Sequence, residues 1–255
     1  MSKVASPTAL KKRLDRFFFN SVPARTGLCE FVTDLTLITE AYVFGGLIRD
    51  IAFEGMRHFD SDVDIVYHAE SSDAVMQYIR RYPHQVNKFG GVRFQVQSWQ
   101  VDAWPIEQTW AFAAGVRNYA SVNSLLETTI TTWDSALYRL NDRRLILAED
   151  FFPGLESGTL DLVLPENPNR LGLLVRLMRL LCGERVEAIS PAVSKHLKYA
   201  LQEHHINEIV EYEGAAYETR VLTKEFIKSV AAELATISDD SQVMRWGCRQ
   251  RSLGL

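Results

Sequence analysis

Residues 41–67 read AYVFGGLIRDIAFEGMRHFDSDVDIVY and carry the clearest fold signal of the chain. It begins with a short apolar strand pattern, "YVF", which stops at Gly45 and Gly46. The residues that follow have the apolar spacing of a helix that ends at Gly55, and "DVDIVYH" then predicts a second strand. A glycine pair lets a backbone approach phosphates closely, and a helix N-terminus offers N–H groups to them. The polar ends of this unit are therefore either ordinary turns or the walls of a site for a phosphate-bearing ligand.

Two aspartates open the second strand of this unit. Asp62 and Asp64 are two residues apart, so on a strand both would project from the same face. Adjacent carboxylates repel each other unless a cation neutralises them, and Mg²⁺ prefers oxygen ligands. Asp102, in "QVDAW", is a third carboxylate in the middle of a predicted strand. An Asp-x-Asp alone is more often a turn or a cap, but its combination with Gly-Gly and Asp102 favours a metal site.

The rest of the chain predicts a mixed α/β part followed by a helical part. Helices are expected from Ser6-Pro7 through about Asn20 and from about Gly27 to Thr39, and "SSDAVMQYIRRY" predicts a capped helix. The runs "HQVNKF", "GVRFQVQ" and "WQVDAW" predict a hairpin or meander, and "WDSALYRL-ND-RRLILAED" predicts another hairpin. Three later segments have amphipathic helical spacing: "PENPNRLGLLVRLMRLLCG", "PAVSKHLKYALQEHHINEIVEY" and "TKEFIKSVAAELATI". We therefore predict an α+β fold with an α/β domain over residues 1–164 and a helical domain over residues 165–255.

Composition limits the class of protein. The 255 residues are 47% hydrophobic and 24% charged, which is ordinary for a globular protein with a sizeable core. The net charge of -4 argues against a surface that is basic all over, although a local basic groove stays compatible with it. Three scattered cysteines form no metal or disulfide framework, and no apolar run reaches the length of a membrane span. A cytoplasmic protein without a membrane association is expected.

The glycine turn and the aspartates together resemble the motifs of a known family. "GGLIRD", followed 16 residues after Gly46 by "DVDIV", resembles the head of class II nucleotidyltransferases of the polymerase-β superfamily, which has a pattern close to GGxVRD…DxDhh. That group contains the tRNA CCA-adding enzymes and the bacterial poly(A) polymerases. "KFGGVRFQVQSWQVDAW" is similar to the hairpin and acidic strand that follow in the family. "NPNRLGLLVRLMRLLCG" is similar to its helix between head and neck, and the resemblance covers about residues 43–183.

The resemblance implies a role for each matching residue. The turn over the triphosphate would be formed by Gly45 and Gly46. Arg49 would position the triphosphate or the helix that binds it, and Asp50 would hold that geometry. The implied metal ligands, which are also the catalytic carboxylates, are Asp62, Asp64 and, with a less defined role, Asp102.

Further basic residues complete the implied nucleotide site. Arg170 and Arg176, in the helix that resembles the family's head-to-neck helix, could point into a cleft where a nucleotide would sit. The family's RRDFTINA-like stretch corresponds here to "GVRNYASVNSLLETTITTWDSALYRL", in which Arg-Arg-Asp is not present and Arg117 is the nearest basic residue. The base-reading pattern of the family's neck is not evident either, and 255 residues leave little room for a body and tail that grip a tRNA.

The sequence therefore predicts a Mg²⁺-dependent nucleotidyltransferase with two metals, in which Mn²⁺ could replace Mg²⁺. An NTP is the expected substrate, and RNA with a tRNA-like 3′ end is the leading acceptor. Transfer to a protein or a small molecule is the alternative within the enzyme class. A non-catalytic nucleotide or RNA sensor with a protein partner is the alternative outside it. The sequence leaves the oligomeric state open.

Overall fold

The computed structural model describes residues 3–4, 6–20, 22–55, 62–87, 90–183, 185–236 and 242–246. The chain divides into two compact units. The first unit comprises residues 1–129 and 133–152, and the second comprises residues 130–132 and 153–255. The predicted domain boundary at residues 164 and 165 stays a prediction, because compactness alone does not define a domain.

The first unit contains five helices and seven strands among its described residues. In chain order they are α1 (Pro7–Phe19), α2 (Thr26–Ile38), β1 (Ala41–Phe44), α3 (Gly46–Glu54), β2 (Val63–Tyr67), α4 (Ser72–Ile79), β3 (His84–Val86), β4 (Val92–Val96), β5 (Trp99–Pro105), α5 (Trp110–Ala113), β6 (Ala136–Arg139) and β7 (Arg144–Leu147). Short 3₁₀ helices cover Pro23–Arg25, Ala69–Ser71, Ile106–Gln108 and Val122–Thr128. The predicted strand–helix–strand unit and both predicted hairpins are confirmed.

The seven strands form one mixed sheet in the order β3-β4-β5-β2-β1-β6-β7. β2 and β5 run parallel, and the other neighbouring strands run antiparallel. The parallel pair is adjacent although four elements separate its strands in the chain, because α4 and the β3–β4 hairpin form the crossover between them. This crossover brings the strand that carries Asp64 beside the strand that carries Asp102.

The two faces of this sheet differ in what covers them. One face is apolar and packs against helices: the Phe31 ring of α2 contacts Phe94 at 5.3 Å, and the Phe18 ring of α1 stacks on Tyr138 at 5.9 Å. The opposite face is apolar only in part. There a small buried cluster forms around Tyr42, Val66, Ile106, Leu125 and Leu137, and polar side chains of β2, β4 and β5 occupy the remainder.

The second unit is mostly helical. Its elements are α6 (Phe151–Ser157, which begins in the first unit), β8 (Thr159–Leu160), α7 (Arg170–Cys182), β9 (Ala188–Ile189), α8 (Pro191–Glu203), α9 (Ile206–Ala216), α10 (Lys224–Ala235) and β10 (Met244–Arg245). The three short strands form a sheet in the order β10-β9-β8. The helical character was predicted, but this small sheet was not, because strands of two residues carry no periodic signal.

Three local features decide where helices begin. The Ser6 hydroxyl accepts a hydrogen bond from the Ala9 amide at 3.2 Å, so the predicted N-cap of α1 is confirmed. The predicted cap of α4 is wrong, because Ser71 makes no side-chain cap bond and a 3₁₀ turn leads into the helix instead. The single helical run predicted through His204 and His205 is also wrong. It breaks there, and His205 caps α9 in a capping box with Glu208.

No helix within residues 3–236, the masked gaps aside, has both the length and the apolar character that crossing a bilayer requires.

Candidate active site

Three aspartates share one face of the sheet in the first unit. Asp64 lies in β2 and is the direct register partner of Asp102 in the parallel strand β5. Since register partners on neighbouring strands project from the same face, the side chains of Asp64 and Asp102 share one face of the sheet. Asp62 directly precedes β2 and is two residues from Asp64, so it projects to this face as well. The structure therefore places the three aspartates that the sequence singled out on one face of the sheet.

The turn between β1 and α3 borders this carboxylate cluster. Gly45 has φ 81° and ψ -141°, a backbone conformation that essentially only glycine adopts. A Cβ atom placed on Gly45 would lie 3.6 Å from Asp64 Oδ2, which is an ordinary van der Waals distance. The backbone conformation, rather than crowding, therefore requires glycine here. Gly46 begins α3, whose first amides point out of the helix at the same turn.

Arg93 is a basic residue that contacts this cluster. It lies opposite Asp102 across the β4–β5 pair, and its guanidinium donates two hydrogen bonds to that carboxylate, at 2.8 Å to Oδ1 and 2.5 Å to Oδ2. The same guanidinium lies 3.5 Å from Asp62 Oδ2. The hydrogen bonds to Asp102 raise the pKa of Arg93, with further contributions from the charges of Asp62 and Asp64. The cluster therefore already contains one cation supplied by the protein itself.

The donor set of the cluster suits a hard divalent cation. Three carboxylates supply the oxygen ligands that Mg²⁺ prefers, so the chemistry of Asp62, Asp64 and Asp102 fits that ion. As the side chains stand, however, no group of three or more His, Cys, Asp or Glu side chains in the described part of the chain is close enough to hold a metal. Asp102 instead has both of its oxygens bonded to Arg93. The assignment of these three aspartates as metal ligands stays a prediction.

Arg49 and Asp50 lie on α3 in a buried ionic network. Arg49 Nε and Nη2 donate to the two oxygens of Asp50 at 3.0 and 3.3 Å, and Nη1 donates to Asp134 Oδ1 at 2.6 Å. Burial alone would lower the pKa of Arg49, but the charges and hydrogen bonds of both aspartates outweigh it and raise the pKa. The network joins the helix after the glycine turn to the 3₁₀ turn Thr132–Asp134. Nucleotide binding by Arg49 and Asp50 stays a prediction, and what the structure adds is a positioning role for α3.

The other three predicted arginines lie elsewhere. Arg117 follows α5, and its Nη1 donates to the carbonyl of Val116 at 3.0 Å. Arg170 and Arg176 lie on exposed positions of α7 in the second unit, and Arg170 forms an ion pair with Glu203 at 3.4 Å. Their assignment to nucleotide binding stays a prediction.

Two residues of the site were missed by sequence reasoning. Arg93 alternates with the buried Val92 and Phe94, so the pattern "GVRFQV" does place it on the opposite face from the core. Its contact with Asp102 depends on the β4–β5 register, which a strand prediction alone does not supply. Asp134 is 85 residues from Arg49 in the chain, and no local pattern connects them.

Comparison with known proteins identifies the fold. No protein-family model matches the sequence, and no curated protein matches it either. Among solved structures, the chain is similar to a Thermotoga maritima CCA-adding enzyme complexed with tRNA, with 16% identity and a TM-score of 0.60 over 92% of this chain and 55% of that one. A tRNA nucleotidyltransferase complexed with a primer tRNA and an ATP analog gives 20% identity and a TM-score of 0.56 over 80% of this chain and 60% of that one. A tRNA-processing enzyme in an apo form gives 19% identity and a TM-score of 0.53 over 92% and 59%.

These likenesses establish the fold and nothing finer. The chain spans 55% to 60% of the length of these three structures. The predicted α+β fold, with a nucleotidyltransferase-like head and a helical continuation, is thereby confirmed. The family resemblance that the sequence motifs indicated is confirmed as a likeness of fold.

Proposed function

We propose that this protein is a nucleotidyltransferase that transfers a nucleoside monophosphate from an NTP to an acceptor hydroxyl and releases pyrophosphate. The observation that carries the proposal is the shared sheet face of Asp62, Asp64 and Asp102, beside the Gly45 turn. The similarity of this fold to that of tRNA nucleotidyltransferases also supports it.

In the proposed reaction, the acceptor oxygen forms a bond to the α-phosphorus of the NTP. The bond between the α-phosphorus and the oxygen that bridges to the β-phosphate breaks, and pyrophosphate leaves with that oxygen. A divalent cation, when bound, would supply Lewis-acid stabilisation of the charge that develops on the phosphoryl oxygens. Asp62, Asp64 and Asp102 would hold Mg²⁺ or Mn²⁺, and a carboxylate of this group would accept the acceptor's proton.

The glycine turn would bind the phosphate end of the NTP. Gly45 and Gly46 lead into the N-terminus of α3, where unpaired backbone N–H groups favour anions. The buried network of Arg49, Asp50 and Asp134 would fix α3 and so hold those amides in place. In this proposal Arg49 acts through the helix, which is one of the two roles that the sequence motif implied for it.

RNA with a tRNA-like 3′ end is the acceptor that we propose. This finer step is supported by two of the similar structures, which hold a tRNA in one case and a primer tRNA with an ATP analog in the other. Transfer to a protein or a small molecule uses the same carboxylates and the same phosphate turn, so the acceptor is decided by experiment.

The test supplies each of the four α-³²P-labelled NTPs with Mg²⁺ and, separately, total RNA, a protein extract and the small-molecule fraction of a lysate. We expect label on RNA, in a Mg²⁺-dependent reaction that Asp64→Asn and Asp102→Asn abolish. Asp142→Asn is the matched control, because it removes the charge of an exposed aspartate of the same unit whose ion pair with Arg139 measures 3.4 Å.

Each outcome separates one part of the proposal from the others. If wild type labels a protein or a small product and Asp64→Asn does not, the proposed reaction stands and the proposed RNA acceptor is wrong. Label that persists in Asp64→Asn and Asp102→Asn would refute the assignment of the site. Absence of transfer with every NTP and every acceptor fraction would refute the proposed nucleotidyltransferase activity.

A further inference from the structure

Arg93 binds the Asp102 carboxylate, which is also one of the proposed metal ligands. Its guanidinium bonds both oxygens of Asp102 and reaches within 3.5 Å of Asp62. Three carboxylates and one guanidinium leave the cluster with a charge of -2, so its repulsion is reduced but not removed.

A divalent cation and this guanidinium cannot share Asp102 easily. Mg²⁺ requires its oxygen ligands at about 2.0–2.1 Å in near-octahedral geometry. Both oxygens of Asp102 accept hydrogen bonds from Arg93, so a divalent cation bound to the same carboxylate would lie close to the guanidinium and be repelled by it. The Arg93 side chain is 54% exposed, whereas that of Asp102 is 19% exposed, so the arginine is the partner that can move into solvent.

We infer that Arg93 is a resident counter-ion of the cluster, and that a divalent cation binds by displacing its guanidinium from Asp102. The inference rests on the proposed function for the identity of the cation. Arg93 thereby sets the metal affinity of the site: it stabilises the three carboxylates in the metal-free protein and weakens metal binding. The residue is a positioning residue, because it acts through Asp102.

Direct metal binding tests this inference without any measurement of activity. Free Mn²⁺ is titrated into the full chain in the absence of nucleotide, and the bound fraction is followed by electron paramagnetic resonance. We expect Arg93→Gln to bind Mn²⁺ about five- to tenfold more tightly than wild type, the low end of the usual range for coupling between two sites, because an exposed guanidinium is partly screened. Arg93→Lys keeps the positive charge but loses the two-pronged hydrogen bond, so its affinity should fall between the two.

The chain offers a closely matched control. The Arg81 side chain is 53% exposed and forms an ion pair with Asp34 at 4.0 Å, away from the three aspartates. Arg81→Gln removes the same charge at the same exposure and should leave Mn²⁺ affinity at the wild-type value. Asp102→Asn added to Arg93→Gln should abolish the gain.

Thermal stability gives a second readout. Without metal, Arg93→Gln should melt below wild type, because the carboxylates lose their cation. Mn²⁺ should raise its melting temperature more than it raises that of wild type. A purely structural role for Arg93 would lower the melting temperature by the same amount with and without Mn²⁺.

The outcomes distinguish this inference from the function on which it rests. Mn²⁺ affinity in Arg93→Gln that equals or falls below the wild-type affinity would overturn the counter-ion role and leave the metal site intact. Absence of Mn²⁺ binding in both proteins would overturn the metal site and the counter-ion role together. Tighter binding in both Arg93→Gln and Arg81→Gln would reduce the effect to net charge and also overturn the inference.

Discussion

The buried network around Arg49 yields a stability prediction that can be worked from the structure. The side chains of Arg49 and Asp134 are 13% and 6% exposed, and their closest atoms are 2.6 Å apart. Asp134→Asn removes one of the two charges that neutralise the guanidinium. Breaking a buried pair by removing one partner costs about 3–5 kcal/mol, and we expect about 3 kcal/mol because Asp50 still pairs with Arg49.

The same substitution at an exposed pair gives the comparison. Asp142 is 50% exposed and lies 3.4 Å from Arg139, so Asp142→Asn should cost about 0.5 kcal/mol or less. In a unit of this size 1 kcal/mol corresponds to about 2–4 °C in Tm, which predicts a fall of about 6–12 °C for Asp134→Asn and below about 2 °C for Asp142→Asn. Differential scanning calorimetry of both variants measures this. Equal shifts in the two variants would show that the buried Arg49 does not need the charge of Asp134.

Three further predictions concern other parts of the chain. Gly45→Ala places a side chain in a conformation that favours glycine, so it should cost about 1–3 kcal/mol of stability and lower nucleotidyl transfer. Gly115 also has a positive φ but has open space around it, so Gly115→Ala should cost stability without loss of transfer. Equal transfer in both variants would contradict the role of the turn. Glu213→Ala removes the fully buried ion-pair partner of Arg179, so it should destabilise the second unit by about 3–5 kcal/mol in urea unfolding. Glu203→Ala removes an exposed ion-pair partner of Arg170 and should cost less than about 1 kcal/mol. Similar losses in the two variants would contradict a special role for the buried pair. Burial lowers the pKa of His196 below its ordinary 6.5, so just below that pH the unfolded chain binds a proton that the folded chain does not. The stability of the folded protein should therefore decline as the pH falls below 6.5. A His196→Gln variant whose Tm depends on pH as wild type does would contradict this.

Local patterns in the sequence were sufficient for most elements of the first unit. The turn at Gly45 and the apolar runs on either side of it lie within 27 residues, and each signal is carried by neighbours in the chain. The N-cap at Ser6 is also a local signal. Spacing placed Asp62 and Asp64 on one face because the period of a strand is fixed.

The remaining features depend on contacts between distant residues or on signals too short to detect. The pairing of Asp64 with Asp102 requires a parallel crossover, which the strand patterns do not specify. Periodicity continues through His204 and His205, so the break between α8 and α9 depends on a cap rather than on the apolar pattern. Arg93 was visible as a polar residue in a strand, but its ion pair with Asp102 depends on register.

The proposed nucleotidyl transfer depends on the carboxylate face of the sheet. The most direct measurement is the amount of pyrophosphate released per α-³²P label transferred, compared between wild type, Asp64→Asn and Asp142→Asn. Wild type and Asp142→Asn should release one pyrophosphate per label transferred. Asp64→Asn should lose both signals while its melting temperature stays near the wild-type value. Unchanged transfer in a folded Asp64→Asn protein would show that this carboxylate face does not carry out the reaction.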